Sequence, residues 1–100
     1  MNYHIYQTDA DYRFLGWDTA ENKFDLKDYY KVYSSEVTNN NNEHDNEILN
    51  ALFVMLNTNH PKNYHSRSLS VSDIVEIVRE NVTRFYYCDI FGWKLILEVS

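Results

Sequence analysis

Four basic or titratable side chains crowd one short stretch, His60, Lys62, His65 and Arg67, with Tyr64 among them and no acid before Asp73. Two chemistries would use such residues. Lys62 and Arg67 could meet phosphate while a base stacks on Tyr64, as in single-strand nucleic-acid binders. His60 or His65 could instead act as base for Ser68, Ser70, Ser72 or Cys88 as nucleophile. The first footprint is thin, because two of its four positions are histidines, mostly neutral at pH 7. The second lacks a strained nucleophile elbow, since the serines stand at the entry to a strand. A third candidate is a carboxylate pair. Asp73 and Asp89 would approach each other if their strands paired antiparallel, and a like-charge neighbour raises one pKa toward acid–base work. The plainer reading is favoured: Ser70, Ser72 and Asp73 satisfy backbone amides, while Asp89 and Gly92 shape a turn. No catalytic residue is therefore assigned. No metal is expected either, because His4, His44, His60, His65 and Cys88 are scattered, with no CxxC or HExxH spacing.

The elements that would position these residues are read from periodicity. Asn2–Thr8 alternates as a strand, and Tyr12–Trp17 reads as a second extended piece ended by Gly16. Asp18–Lys27 is a polar connection with room for a short helical turn, and Tyr29–Val37 is a strand rich in Tyr and Val. The run Asn39–Asn42 has nothing apolar to bury and reads as a loop. Ile48, Leu49, Leu52, Phe53, Met55 and Leu56 then recur at helical spacing, with Asn42 or Asp45 as cap and an end near Asn57, before His60-Pro61. Ile74–Val78, Arg84–Ile90 and Trp93–Val99 complete the strands, with Asn81 able to take a left-handed turn position. The expected fold is α+β: a mostly antiparallel β-sheet with one main amphipathic helix packed on one face, formed by residues 1–100 as a single domain.

Composition bounds the partners. Nine Lys and Arg against fifteen Asp and Glu give a net charge of −6. That balance disfavours general attraction to nucleic acid and suits a basic surface. The acids expected to carry such an attraction from exposed segments are Asp9, Asp11, Asp18, Glu21 and Asp25, then Glu43, Asp45 and Glu47. Two glycines and one proline argue against a glycine-cradled phosphate site. One cysteine excludes an internal disulfide, and no apolar run approaches a signal-peptide core or a membrane span, so a cytoplasmic protein without membrane contact is expected.

The stretch LNTNHPKNYHSRSLSVSDIVEI, with YYCDIFGW after it, resembles the YodL-like domain, whose members carry HP, an aromatic, S-L-S-V-S-D-V-V and then Y-x-D-x-x-G-[FY]. YHIYQ, YRFLGWD and YYKVYSSEV are similar to its opening strands. Trp93 replaces the usual Phe or Tyr, and the Asn39–Asn42 run fills a connection that is normally shorter or differently composed. Such domains occur mainly in phages, plasmids and conjugative elements of Gram-positive bacteria. The resemblance implies a freestanding interaction protein that disables a host defence factor, specifically a CRISPR RNA-guided nuclease, through the effector or its guide RNA. It brings no established reaction and no cofactor. A non-inhibitory accessory module of a conjugative element, and an RNA-processing activity centred on Asp73, Asp89 and the histidines, stay open beside it.

Overall fold

The computed structural model of the chain describes residues 1–36 and 44–100. The Asn39–Asn42 run, the Asn42 cap, the end of the strand at Val37 and the acid Glu43 lie outside the described residues. Five strands, β1 (Asn2–Thr8), β2 (Tyr29–Glu36), β3 (Ile74–Val78), β4 (Thr83–Cys88) and β5 (Trp93–Val99), form one sheet in the order β2-β1-β3-β4-β5. Every neighbouring pair is antiparallel. The two outer ladders each slip by one residue, skipping Val32 of β2 and Ile96 of β5.

Because side chains alternate along a strand, each face of the sheet acquires its own core. Tyr3 and Ile5 of β1 and Val75 and Ile77 of β3 pack against Ile48, Leu49, Leu52 and Leu56 of helix α2 (Asp45–Thr58). This is the expected mostly antiparallel sheet with one main helix. Phe53 of the predicted stripe is instead 40 % exposed, on the outer side of α2 beside Trp93.

The opposite face is covered by aromatic rings from the β1–β2 connection. Tyr12, Trp17 and Phe24 meet Tyr29, Ile74 and Tyr87, with Trp17 and Tyr87 ring centroids 4.9 Å apart. The extended piece expected at Tyr12–Trp17 is absent, because burying the Tyr12 ring folds the chain into turns, with Arg13 N donating to Ala10 O and Leu15 N to Tyr12 O. A four-residue helix, α1 (Trp17–Ala20), and a 3₁₀ turn at Leu26–Asp28 follow within the polar connection. Gly16 is needed for closeness rather than for a special dihedral. Its φ is −64°, and a Cβ there would lie 2.8 Å from Ile90 Cδ1. Two other local expectations are corrected. Asn81 does not take the left-handed conformation, since among the described non-glycine residues only Phe14 and Ser72 have positive φ. Strand β4 stops at Cys88 rather than Ile90, because Asp89 turns the chain.

Candidate functional site

The β1–β2 connection, the segment from α2 to β3 and the β4–β5 turn all emerge at one end of the sheet, and most of the residues singled out above lie there. Asp73 is its buried hub. Arg67 donates from Nη2 to Oδ1 at 2.8 Å and from Nη1 to Oδ2 at 3.0 Å, while Oδ2 also accepts from Ser70 N at 2.8 Å and from Gln7 Nε2 at 3.1 Å. Burial pushes the carboxyl up from its ordinary pKa, and Arg67, the Ser70 amide and Gln7 pull the other way. All these donors suit a carboxylate acceptor. The loop is then pinned to β4, since Ser72 N donates to Cys88 O and Cys88 N to Asp73 O.

Ser72 also satisfies a backbone amide, one that comes from across the chain. It is buried at φ 84°, and its Oγ accepts from the amide of Phe14, itself at φ 70°. Left-handed backbone is costly for both residue types, and here the two are held by one mutual hydrogen bond. The Phe14 ring is flanked by the guanidiniums of Arg13 and Arg67, at 4.9 and 5.0 Å. Asp89 has different partners. Its Oδ1 accepts from Trp17 N at 3.0 Å and Ile90 N at 2.8 Å, and its own amide donates to Gly92 O, with Gly92 at φ 81°. Asp73 and Asp89 share no hydrogen-bond partner and form no dyad.

The stacking patch does not assemble. His60, Lys62 and His65 are exposed, but Tyr64 is buried, its hydroxyl donating to Arg67 O and its ring set edge-on to Tyr33 and His60. A buried ring offers no face to a base. Arg67 is likewise engaged by Asp73. Of the nucleophile–base pairings, Ser68 Oγ and His60 Nε2 come within 3.4 Å on the surface, and among the described residues no third group orients the imidazole. Cys88 is buried, and burial together with Asp73 and Asp89 pushes its thiol up to about 12, far from a reactive thiolate. Among the described residues no three of His, Cys, Asp and Glu cluster as a metal would require.

The acids separate into two groups. Asp18 and Glu21 are exposed, Asp9 and Asp11 make solvent-exposed pairs with Arg13 and Lys23, and Asp25 caps the 3₁₀ turn through Lys27 N. Glu47 is exposed on α2. Asp45 is a correction: it is buried and unavailable to a partner, and it does not cap α2, whose N-cap is His44 without a side-chain bond. Its Oδ1 accepts from Arg79 Nε and Nη2 at 2.9 and 2.7 Å, and its Oδ2 from Arg84 Nη1 at 3.1 Å and from the Tyr86 hydroxyl. Burial raises the carboxyl's pKa, but the bonds from Tyr86, Arg79 and Arg84 outweigh it and hold the group below its ordinary value. Sequence reasoning missed Gln7, Tyr29, whose hydroxyl donates to Ser72 O at 2.6 Å, and the Ile90-Phe91 tip. For the tip a signal existed, two large apolar residues placed where a turn must be.

A five-stranded antiparallel sheet with one main covering helix, and an end at which Ser72, Asp73 and Asp89 hold loops, define a small α+β domain. The chain belongs to the YodL-like domain family, whose model matches residues 2–99. No curated protein and no solved structure matches it. Among the described residues no helix is long and apolar enough to cross a membrane.

Proposed function

We propose that this domain acts by binding, as a mobile-element-encoded anti-defence protein that occupies a basic surface of a CRISPR RNA-guided nuclease. The observation that carries the reading is the acidic β1–β2 connection. Residues 9–28 hold six acids against three bases, half of the chain's net charge of −6, on a connection anchored by buried rings. Asp18 and Glu21 project there free of the described ion pairs. A rigid, prepaid array of negative charge speeds association with a positive channel and excludes wrong partners. The groups considered for hydrolysis are engaged elsewhere: Asp73 by Arg67, Gln7 and Ser70, and Cys88 by burial. Guide-RNA contact, if it adds to this, falls to the exposed His60, Lys62 and His65.

The test is target-DNA cleavage by the purified nuclease, with the protein added before or after guide loading and the guide RNA followed on a gel. Stoichiometric inhibition that weakens with salt is expected, since exposed charges more than about 10 Å apart are screened near 0.1 M. Reversing Asp18 and Glu21 to lysine should slow association and leave folding unchanged. Full cleavage at large molar excess in either order would overturn the reading in favour of an accessory binding module. A shortened guide would favour RNA processing.

A further inference from the structure

The two most exposed large apolar side chains among the described residues stand next to each other. Phe91, at the tip of the β4–β5 turn, is 94 % exposed, and Ile90 beside it is 63 % exposed. The tip is held firmly, because Asp89 N donates to Gly92 O while Asp89 Oδ1 binds both Ile90 N and Trp17 N. A fully exposed phenyl ring on a rigid turn has the character of an interface anchor.

Next to it lies an open cleft of about 230 Å³ between α2 and the turn, lined by Asn50, Phe53, Ile90, Gly92 and Trp93 among others. The Phe53 and Trp93 rings form its aromatic wall, edge to face at 6.5 Å. An apolar cavity of about 150 Å³ accepts benzene, so a phenyl ring fits this volume. A projecting ring and a hole side by side on one patch meet the requirement of a two-fold contact, in which residue i touches j and j touches i. We propose that a second copy of this chain docks here, Phe91 of each filling the α2/β4–β5 cleft of the other.

Charge permits this occupant here and not elsewhere on the acidic surface. Two copies at −6 each repel, and they can approach only through a surface that adds little to the repulsion. From Asn50 to Thr58, α2 carries no charged residue, and the tip offers only Asp89, already holding two amides, and Lys94. A strongly basic partner would gain little here and more at the 9–28 connection. The areas also suffice. Phe53, Val54, Ile90, Phe91 and Leu95 together expose on the order of 500 Å² per copy, so two copies reach the roughly 1,000 Å² a specific interface must clear.

The inference is independent of the nuclease reading and is tested on the protein alone, by sedimentation velocity and light scattering over a range of concentration and salt. A dimer that persists as salt rises is expected. Phe91→Ala should weaken dimerisation by roughly thirtyfold or more, as truncation of an anchor does, with a melting transition that matches the wild type at dilutions where both are monomeric. Asn50→Trp should do the same by filling the hole while Phe91 remains. Mixing the two variants should restore association, because the intact cleft of one accepts the intact ring of the other. A monomeric wild type at high concentration, a Phe91→Ala protein that still dimerises, variants that stay apart on mixing, or open-ended polymers would each overturn the proposal. Should Asn50→Trp fail to fold, the wild type and Phe91→Ala decide it.

Discussion

Asp73 and Asp45 are both carboxylates drawn inside the protein and both answered by arginine, but they are answered in different ways. Asp73 finds Arg67 and Ser70 within six residues of itself, and only Gln7 reaches it from across the chain. The result is a locally built knot that shapes the loop before β3. Asp45 finds Arg79, Arg84 and Tyr86, all more than thirty positions away, and so fastens the first turn of α2 to the far ends of β3 and β4. One carboxylate sets the path of a loop; the other sets where a helix sits. Burial differs as well, with no exposed side-chain area at Asp73 against 8 % at Asp45. The same functional group therefore carries a larger desolvation demand at the loop end than at the helix end.

This contrast can be broken by experiment. Asp73→Ala strands the Arg67 guanidinium, the Gln7 amide and the Ser70 N–H, and should cost about 3–5 kcal/mol in urea unfolding, a large share of a small domain's margin. A cost below that of Asp45→Asn would reverse the ranking. Next, α2 should depend on its apolar stripe at least as much as on its ionic fastening: Leu52→Ala is expected to cost about 2–5 kcal/mol, read as a fall in urea midpoint. Asp45→Asn should cost about 1.5–3 kcal/mol at neutral pH, because it weakens charge-assisted bonds that keep some access to water. Its pH dependence has a fixed sign. The folded pKa of Asp45 is depressed, so its stabilisation is present above the unfolded value near 3.9 and is lost as pH falls through the lower folded value. Wild type should therefore lose stability below about pH 4 more steeply than the Asn variant, as thermal unfolding across pH would show. The smallest effect is at Ser72. Ser72→Gly relieves left-handed strain while losing the acceptor for Phe14 N, and should be nearly neutral, whereas Ser72→Ala keeps the strain and should be less stable than Gly by about 1 kcal/mol.

The contrast also marks how far the sequence could be read. Strand β1 and helix α2 follow from period, since each must put alternate or every third and fourth residue into a core, and β3 follows from its β-branched run. Asp73 stood out because it ends a run of hydroxyl residues before a β-branched strand, and a local knot leaves a local trace. Asp45 left none. It stands in the first turn of an amphipathic helix, where acids usually complement the dipole in solvent, and only the packing of α2 over β3 and β4 brings Arg79 and Arg84 to it. Tyr12–Trp17 failed for a related reason. It read as an extended piece, but a loop folding over the sheet buries the Tyr12 ring and half-buries Trp17, and residue types alone cannot distinguish that from a ladder. Tyr64 looked like a surface aromatic because of its basic neighbours, and became a buried ring because its hydroxyl could reach Arg67 O.

The one-residue slips at Val32 and Ile96 govern how the sheet treats foreign strands. Among the described residues both borders of the sheet, β2 and β5, leave backbone amides and carbonyls without a neighbouring strand, and β5 adds Leu95, Leu97 and Val99 to that invitation. An incoming extended segment needs evenly stepped groups to add itself to a border, and each slip puts half of the strand out of step with the other half. Runaway end-to-end growth is thereby frustrated at both margins, and concentrated solutions of the folded chain should stay free of fibrils despite its apolar last strand.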